Sequence, residues 1–281
     1  MTDTVIEVKN LVKEFGSGRH ASRVLDDVGF TVERGETVGL VGESGSGKST
    51  TARCILRLIE PTSGTVRFEG EDVLAFRRHQ LKEYRARAQM VFQDPYSSLD
   101  PRMCVEDIIA EGIRIHRPRE KRESVREQIV ELLELVGLRP DHLPRRPAAF
   151  SGGERQRIGI ARALAVRPNL LICDEPVASL DVSIQAQILN LFVDLKSRLG
   201  LTMMYIAHDL ATVRHLCDRI VVMQGGQIKE IGSREQIYTS PQDPYTIALM
   251  RAVPEPDPVA ARERSAERRL AASAAQAGAA T

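Results

Sequence analysis

Gly42-Glu43-Ser44-Gly45-Ser46-Gly47-Lys48-Ser49-Thr50 follows a short apolar run, Val38-Gly39-Leu40-Val41. The run reads as a buried strand, and residues 48–58 read as a helix carrying Ile55, Leu56 and Leu58. Strand, glycine-rich turn and helix start together form the phosphate-binding pattern G-x-x-x-x-G-K-[ST]. Glycines let backbone N–H groups turn inward around phosphate oxygens, and the helix N-terminus adds a positive dipole end. On this reading Lys48 reaches the β- and γ-phosphates and the Ser49 hydroxyl ligates Mg²⁺.

Working outward, 281 residues suit one large or two modest domains, and 42% hydrophobic residues suffice for a core. A net charge of +1 gives no electrostatic case for a nucleic-acid partner or a strong membrane-surface attraction. The start, Met1 to Glu7, has neither the basic residues nor the apolar stretch of a signal peptide. No apolar run approaches the ~18 residues of a spanning helix. Cys54, Cys104, Cys173 and Cys217 are far apart in sequence and read as reduced thiols of a cytoplasmic protein.

Strands are expected at Val5–Val8, at Val28–Val32 and at Gly64–Phe68, with a turn at Gly16, Ser17 and Gly18. Residues 101–149 change to helical spacing, through Ile108, Ile109, Ile113 and Ile115, then Ile129 to Val136, with Gly137 as a stop. Strands follow at Leu170–Cys173 and Met203–Ala207. They flank a helix over about 182–198 whose apolar face holds Ile184, Ile188, Leu191, Phe192 and Leu195, and which Gly200 ends. Alternating β and α segments imply an α/β fold with a mostly parallel sheet. The Ala- and Arg-rich tail, 256–281, is expected to be a frayed helix or a flexible segment.

Two further stretches carry chemistry. In Leu170-Leu171-Ile172-Cys173-Asp174-Glu175, four apolar residues bury a strand and two carboxylates emerge at its carboxyl end, where open α/β sheets bind ligands. Asp174 is placed to hold Mg²⁺, through a water, and Glu175 to accept a proton from an attacking water. A helix cap or a solvated edge is the plainer alternative. In Phe150-Ser151-Gly152-Gly153-Glu154-Arg155-Gln156, Ser151 and Glu154 have capping-box spacing, which alone means only a well-started helix. The two glycines after the cap leave N–H groups uncovered and make a second anion site.

Ser151 to Gln156, some twenty residues before the Asp174-Glu175 strand, resembles the signature motif of ATP-binding cassette (ABC) ATPases. The resemblance spans about residues 4–255. It implies a P-loop NTPase nucleotide-binding domain, residues 1–255, with an antiparallel β subdomain and a helical subdomain at about 94–160. Gln93 is similar to the family's Q-loop glutamine, touching Mg²⁺ and the attacking water. Ser179-Leu180-Asp181 resembles the D-loop, which crosses a dimer interface, and His208 the switch histidine on the γ-phosphate. Phe15 sits where the family places an aromatic against adenine. The implied ligands are ATP and Mg²⁺: residues Gly42 to Thr50 and Phe15 bind nucleotide, and Ser49, Gln93 and Asp174 serve the metal. Glu175, His208 and Gln93 serve catalysis, while Ser151, Gly152, Gly153, Glu154 and Asp181 act across the interface. Phe150 and Glu154 depart mildly from the commonest signature pattern without disturbing its cap.

Phe92 to Met103, Cys173 to Ser183 and Tyr238 to Thr246 are similar to segments of oligopeptide and dipeptide importers. Tyr96-Ser97-Ser98-Leu99-Asp100-Pro101-Arg102 resembles the second of the two ATPases that such importers commonly carry. The resemblance implies a heterodimer with a related ATPase at the cytoplasmic face of the inner membrane. It also implies two permease subunits and, indirectly, an external solute-binding protein, with no nucleic acid. The post-Q-loop segment 94–149 would meet the permease. Nickel, glutathione or oligosaccharide import remains an alternative cargo, and DNA repair a remote alternative role. No cysteine follows Cys217, so the cysteine-rich end of some relatives, and an iron–sulfur cluster with it, is not expected.

Overall fold

The computed structural model describes residues 3–16, 18 and 21–252. Ser17 of the expected turn and the tail 256–281 lie outside them. Two sheets organise the rest. β1 (Thr4–Phe15) pairs antiparallel with β2 (Ser22–Glu33) on one side and β4 (Ser63–Phe68) on the other, and a two-residue β5 (Glu71–Asp72) extends the edge. The second sheet contains β3 (Thr37–Val41), β6 (Ala88–Val91), β7 (Leu170–Asp174), β8 (Thr202–Ala207), β9 (Arg219–Gln224) and β10 (Gln227–Ser233), in the order β10-β9-β3-β8-β7-β6. It is parallel except for the edge strand β10.

The central strands β3, β7 and β8 are buried from end to end because both faces of the sheet are covered there. Leu170 and Ile172 of β7, and Met204 and Ile206 of β8, join one core with the antiparallel sheet. Leu171, Cys173, Met203 and Tyr205 point to the other core, against the helices. That second core is built by α3 (Val105–His116), α4 (Arg122–Leu135), α5 (Gly152–Leu164) and α6 (Val182–Leu199). Gly137 (φ 75°) and Gly200 (φ 60°) follow α4 and α6 in the left-handed region that stops a helix.

α1 (Lys48–Ile55) is shorter than the expected 48–58. Arg57 adopts φ 49° and spends its guanidinium on Glu60 and on the carbonyls of Val73 and Phe76. These bonds turn the chain, and Leu58 is left exposed. Spacing did not reveal α2 (Arg78–Arg87), which is mostly polar with Tyr84 as its one buried residue. Beyond the sheet, α7 (Leu210–Val213), α8 (Arg234–Thr239) and α9 (Pro244–Ala252) close the described chain. No helix among the described residues is long and apolar enough to cross a membrane. Cys54, Cys173 and Cys217 are buried free thiols, and Cys104 is half-buried.

Candidate active site

The glycine-rich turn joins the carboxyl end of β3 to α1, and its glycines are set by their surroundings. A Cβ on Gly42 would lie 2.1 Å from the Met223 carbonyl oxygen at the end of β9. Gly47 has φ 103°, and a Cβ there would lie 2.7 Å from Leu25 Cδ2. Gly47 gives α1 no side-chain cap, so the first N–H groups of the helix face the turn. Glu43, Ser44 and Gly45 are exposed, Ser46 and Lys48 buried, and Ser49 and Thr50 half-buried. Gly226 N–H donates to the Ser46 carbonyl (3.1 Å) and Asp26 N–H to Gly226 (2.9 Å), which ties the turn to both sheets.

Lys48 Nζ donates to the carbonyls of Gly42 (2.7 Å) and Glu43 (2.8 Å) and lies 3.8 Å from Glu175 Oε1. Burial pulls its pKa down, opposed by the charges of Glu175 and Asp174. The Ser49 hydroxyl donates to Asp174 Oδ1 at 2.7 Å. Burial pushes the Asp174 carboxyl up, and that hydrogen bond opposes the shift. Gln93 Nε2 donates to Glu175 Oε2 at 3.2 Å. Glu175 has φ 44°, a left-handed conformation that a glutamate adopts only under constraint, and its N–H donates to the Ile206 carbonyl at 3.2 Å. Six residues from three separate sequence motifs, Gly47, Lys48 and Ser49, then Gln93, then Asp174 and Glu175, therefore meet at one end of the parallel sheet. Val24 lines the same cleft.

Among the described residues, no group of three or more His, Cys, Asp or Glu gathers to hold a metal alone. A hydroxyl, a carboxylate and an amide oxygen are hard donors, too few for a closed cage. They suit Mg²⁺, which keeps waters and shares phosphate ligands.

His208 and Phe15 stand apart from that cluster. His208 follows β8, is exposed, and its Nε2 lies 3.1 Å from Asp209 Oδ2. Phe15 is exposed at the end of β1, with Lys13 Nζ 4.8 Å from its ring centre.

The turn at Ser151 forms a second surface. Ser151 N–H donates to Glu154 Oε2 (2.9 Å) and Glu154 N–H to Ser151 Oγ (3.4 Å), the expected capping box. The Ser151 N–H holds the Glu154 carboxyl below the usual carboxylate range. The glycines have a packing reason that spacing did not reveal. A Cβ on Gly153 would lie 2.6 Å from Ile184 Cγ2 of α6, and one on Gly152 3.2 Å from Leu180 Cδ2 and 3.5 Å from Tyr96 Oη. The Arg155 guanidinium lies 4.2 Å from the Tyr96 ring centre, which joins this turn to the segment after Gln93. Asp181 caps α6 through its backbone only, and it and Val182 are exposed beside Ser151's helix.

Residues 25–178 match the family described as ABC transporter, and residues 229–278 the oligopeptide/dipeptide transporter C-terminal region. The oligopeptide transport ATP-binding protein OppF of Bacillus subtilis is 50% identical over 265 residues, 94% of this chain and 87% of that protein. The dipeptide transport ATP-binding protein DppF of Lactococcus lactis subsp. cremoris is 49% identical over 264 residues, 93% and 85% of the two chains. Among solved structures, a dimeric ATP-binding cassette in a post-hydrolysis state bound to ADP and Pi aligns with a TM-score of 0.74 at 28% identity. That alignment covers 82% of this chain and 98% of the other. A subunit from Clostridium perfringens, part of the ABC transporter complex cbiONQ, gives 0.75 at 25% identity over 85% and 92%. With a glycine-rich turn, an acidic strand end and a capped glycine turn arranged on this fold, the chain belongs to the ABC transporter family of ATPases and carries the C-terminal region of its oligopeptide/dipeptide transporters.

Proposed function

We propose that the chain is the ATP-hydrolysing subunit of an ABC importer for peptides, working at a head-to-tail interface with a second ATPase subunit. The observation that carries this reading is the meeting of Lys48, Gln93 and Glu175 over the Ser49–Asp174 pair. The turn from Gly42 to Thr50 holds the phosphates, and Phe15 lies where adenine would stack. Ser49, Asp174 and the Gln93 amide oxygen would hold Mg²⁺, which neutralises phosphate charge when bound. Glu175 takes a proton from the water that attacks the γ-phosphorus, while the bond from that phosphorus to the bridging oxygen breaks. Lys48 Nζ lies 3.8 Å from the same carboxylate, which places the cation beside the proton acceptor.

Ser151 is exposed and Asp181 half-buried, and the turn Ser151–Glu154 with Asp181 would complete the partner's site, as the partner's would complete this one. His208 would reach the γ-phosphate when the pair closes. Residues 94–160 form the helical subdomain of this reading, and its stretch after Gln93 meets the permease. The finer assembly is a heterodimer with a related ATPase on two permease subunits at the cytoplasmic face of the inner membrane, fed by a solute-binding protein. Peptide cargo is favoured by the 229–278 match and by the relatives' names. Uptake of a labelled oligopeptide by cells carrying the assembled system tests it: loss with Glu175→Gln, at unchanged subunit levels, is expected. Uptake of nickel, glutathione or an oligosaccharide, with no peptide uptake, would overturn the cargo.

A further inference from the structure

The C-terminal segment touches the phosphate-binding turn at one point that the reading above does not use. Tyr245, on α9, accepts a hydrogen bond from the Glu43 N–H at 3.1 Å through its hydroxyl. That N–H belongs to the peptide unit whose carbonyl, on Gly42, accepts from Lys48 Nζ at 2.7 Å. One planar peptide therefore connects the tyrosine hydroxyl to the lysine ammonium, with the phenol at its N–H end and the cation at its C=O end. Accepting at the N–H polarises the unit and strengthens the carbonyl as an acceptor.

Tyr245 is itself held in place. The Glu230 carboxylate on β10 accepts from the N–H groups of Gln242 (2.9 Å) and Asp243 (3.0 Å), which fixes the turn into α9. Asp243 Oδ1 accepts from the Tyr245 N–H (2.8 Å) in the manner of an N-cap, with Pro244 in the first turn. Thr246 next to it is fully buried, and Leu249 and Met250 pack on the helical core. Burial pushes the phenol's pKa up, so the hydroxyl stays neutral. The same segment reaches the other side of the site: Tyr238, on α8, donates to the Leu210 carbonyl just after His208 and Asp209.

We infer that Tyr245 is a positioning residue for ATP binding, through which the C-terminal segment sets the Gly42–Glu43 peptide and thereby the ammonium of Lys48. The inference rests on the ATPase reading of the site. It gives the segment 229–252 a task in nucleotide binding.

The test is a fluorescent-ATP titration of the full chain for wild type, Tyr245→Phe, Lys48→Ala and the double variant, with Thr246→Val as a control on the same helix. Tyr245→Phe keeps the ring and removes only the hydroxyl. The expected result is a roughly 2- to 10-fold weaker ATP affinity, the size of one hydrogen bond. That loss should disappear in the Lys48→Ala background, while Thr246→Val binds like wild type. An effect of Tyr245→Phe that is equal in both backgrounds would reduce it to a general loss of stability and overturn the inference. So would affinity unchanged from wild type. If wild type itself binds no ATP, the ATPase reading fails instead.

Discussion

Lys48 stands between two sets of partners: loop carbonyls at 2.7 and 2.8 Å and the Glu175 carboxylate at 3.8 Å. On the proposed reading phosphate oxygens compete for this ammonium through charge-assisted hydrogen bonds. Lys48→Ala is therefore expected to weaken ATP binding by about 10-fold or more in a nucleotide titration, with folding retained. Unchanged affinity would count against the phosphate role. Gly42→Ala should do something different. Its Cβ would press on a backbone oxygen at the end of β9, and a backbone carbonyl cannot rotate away as a side chain can. We expect a loss of stability of about 1–3 kcal/mol, measured by denaturant unfolding, alongside loss of ATP binding. The strand, glycine-rich turn and helix start were legible in sequence because they are local and contiguous. The φ of 44° at Glu175 was not legible. It arises where β7 ends and its backbone is pinned to Ile206 on β8, a pairing between strands far apart in sequence.

At the scale of elements, the Ser151 helix illustrates how far spacing reaches. The capping box was readable three residues apart, since caps are local. The reason for Gly153 was not, because its neighbour Ile184 lies on another helix. Gly153→Ala would gain helix propensity but meet Ile184 Cγ2 at 2.6 Å, and the overpacking should win, costing about 1–3 kcal/mol. Ile184→Ala in the same chain should relieve most of that cost, so a double-mutant cycle on unfolding free energies should be strongly non-additive. An additive cycle would deny the contact. Ser151→Arg tests the outward face of the same turn. It removes the cap and places a long side chain on the proposed interface, so ATP binding to the subunit should persist while ATP-dependent pairing fails. Pairing equal to wild type, read by light scattering, would exclude a head-to-tail role for this turn. Helix α2 escaped the sequence reading because a largely polar helix leaves little periodic signal. The helix expected over 48–58 stops at Ile55, where Arg57, with its three acceptors, turns the chain.

At the scale of the whole molecule, the strand order explains why dispersed motifs meet. β3 lies between β9 and β8, and β7 beside β8, so the turn after β3, the carboxylates at the end of β7 and the loop carrying His208 after β8 share the carboxyl end of the sheet. Alternation of β and α segments predicted a parallel sheet, but the order of strands depends on long-range pairing that no local pattern encodes. The β9 strand, whose end carries Met223 against Gly42, and the Tyr245 contact belong to this unread part. The pairing proposal also belongs to this scale. The isolated chain should hydrolyse ATP slowly, and a second, related ATPase should co-purify with it from membranes. Recovery of a fully active homodimer would remove the heterodimer while leaving the ATPase. The central claim, that Glu175 is the proton acceptor of a site completed by a second subunit, is tested most directly by Glu175→Gln in the assembled transporter with ATP and Mg²⁺. The amide keeps the shape of the carboxylate but accepts no proton. The account predicts a closed ATPase pair that retains unhydrolysed ATP in this chain's site after gel filtration, with that site's turnover abolished. Turnover at the wild-type rate, with no ATP-loaded pair accumulating, would contradict it.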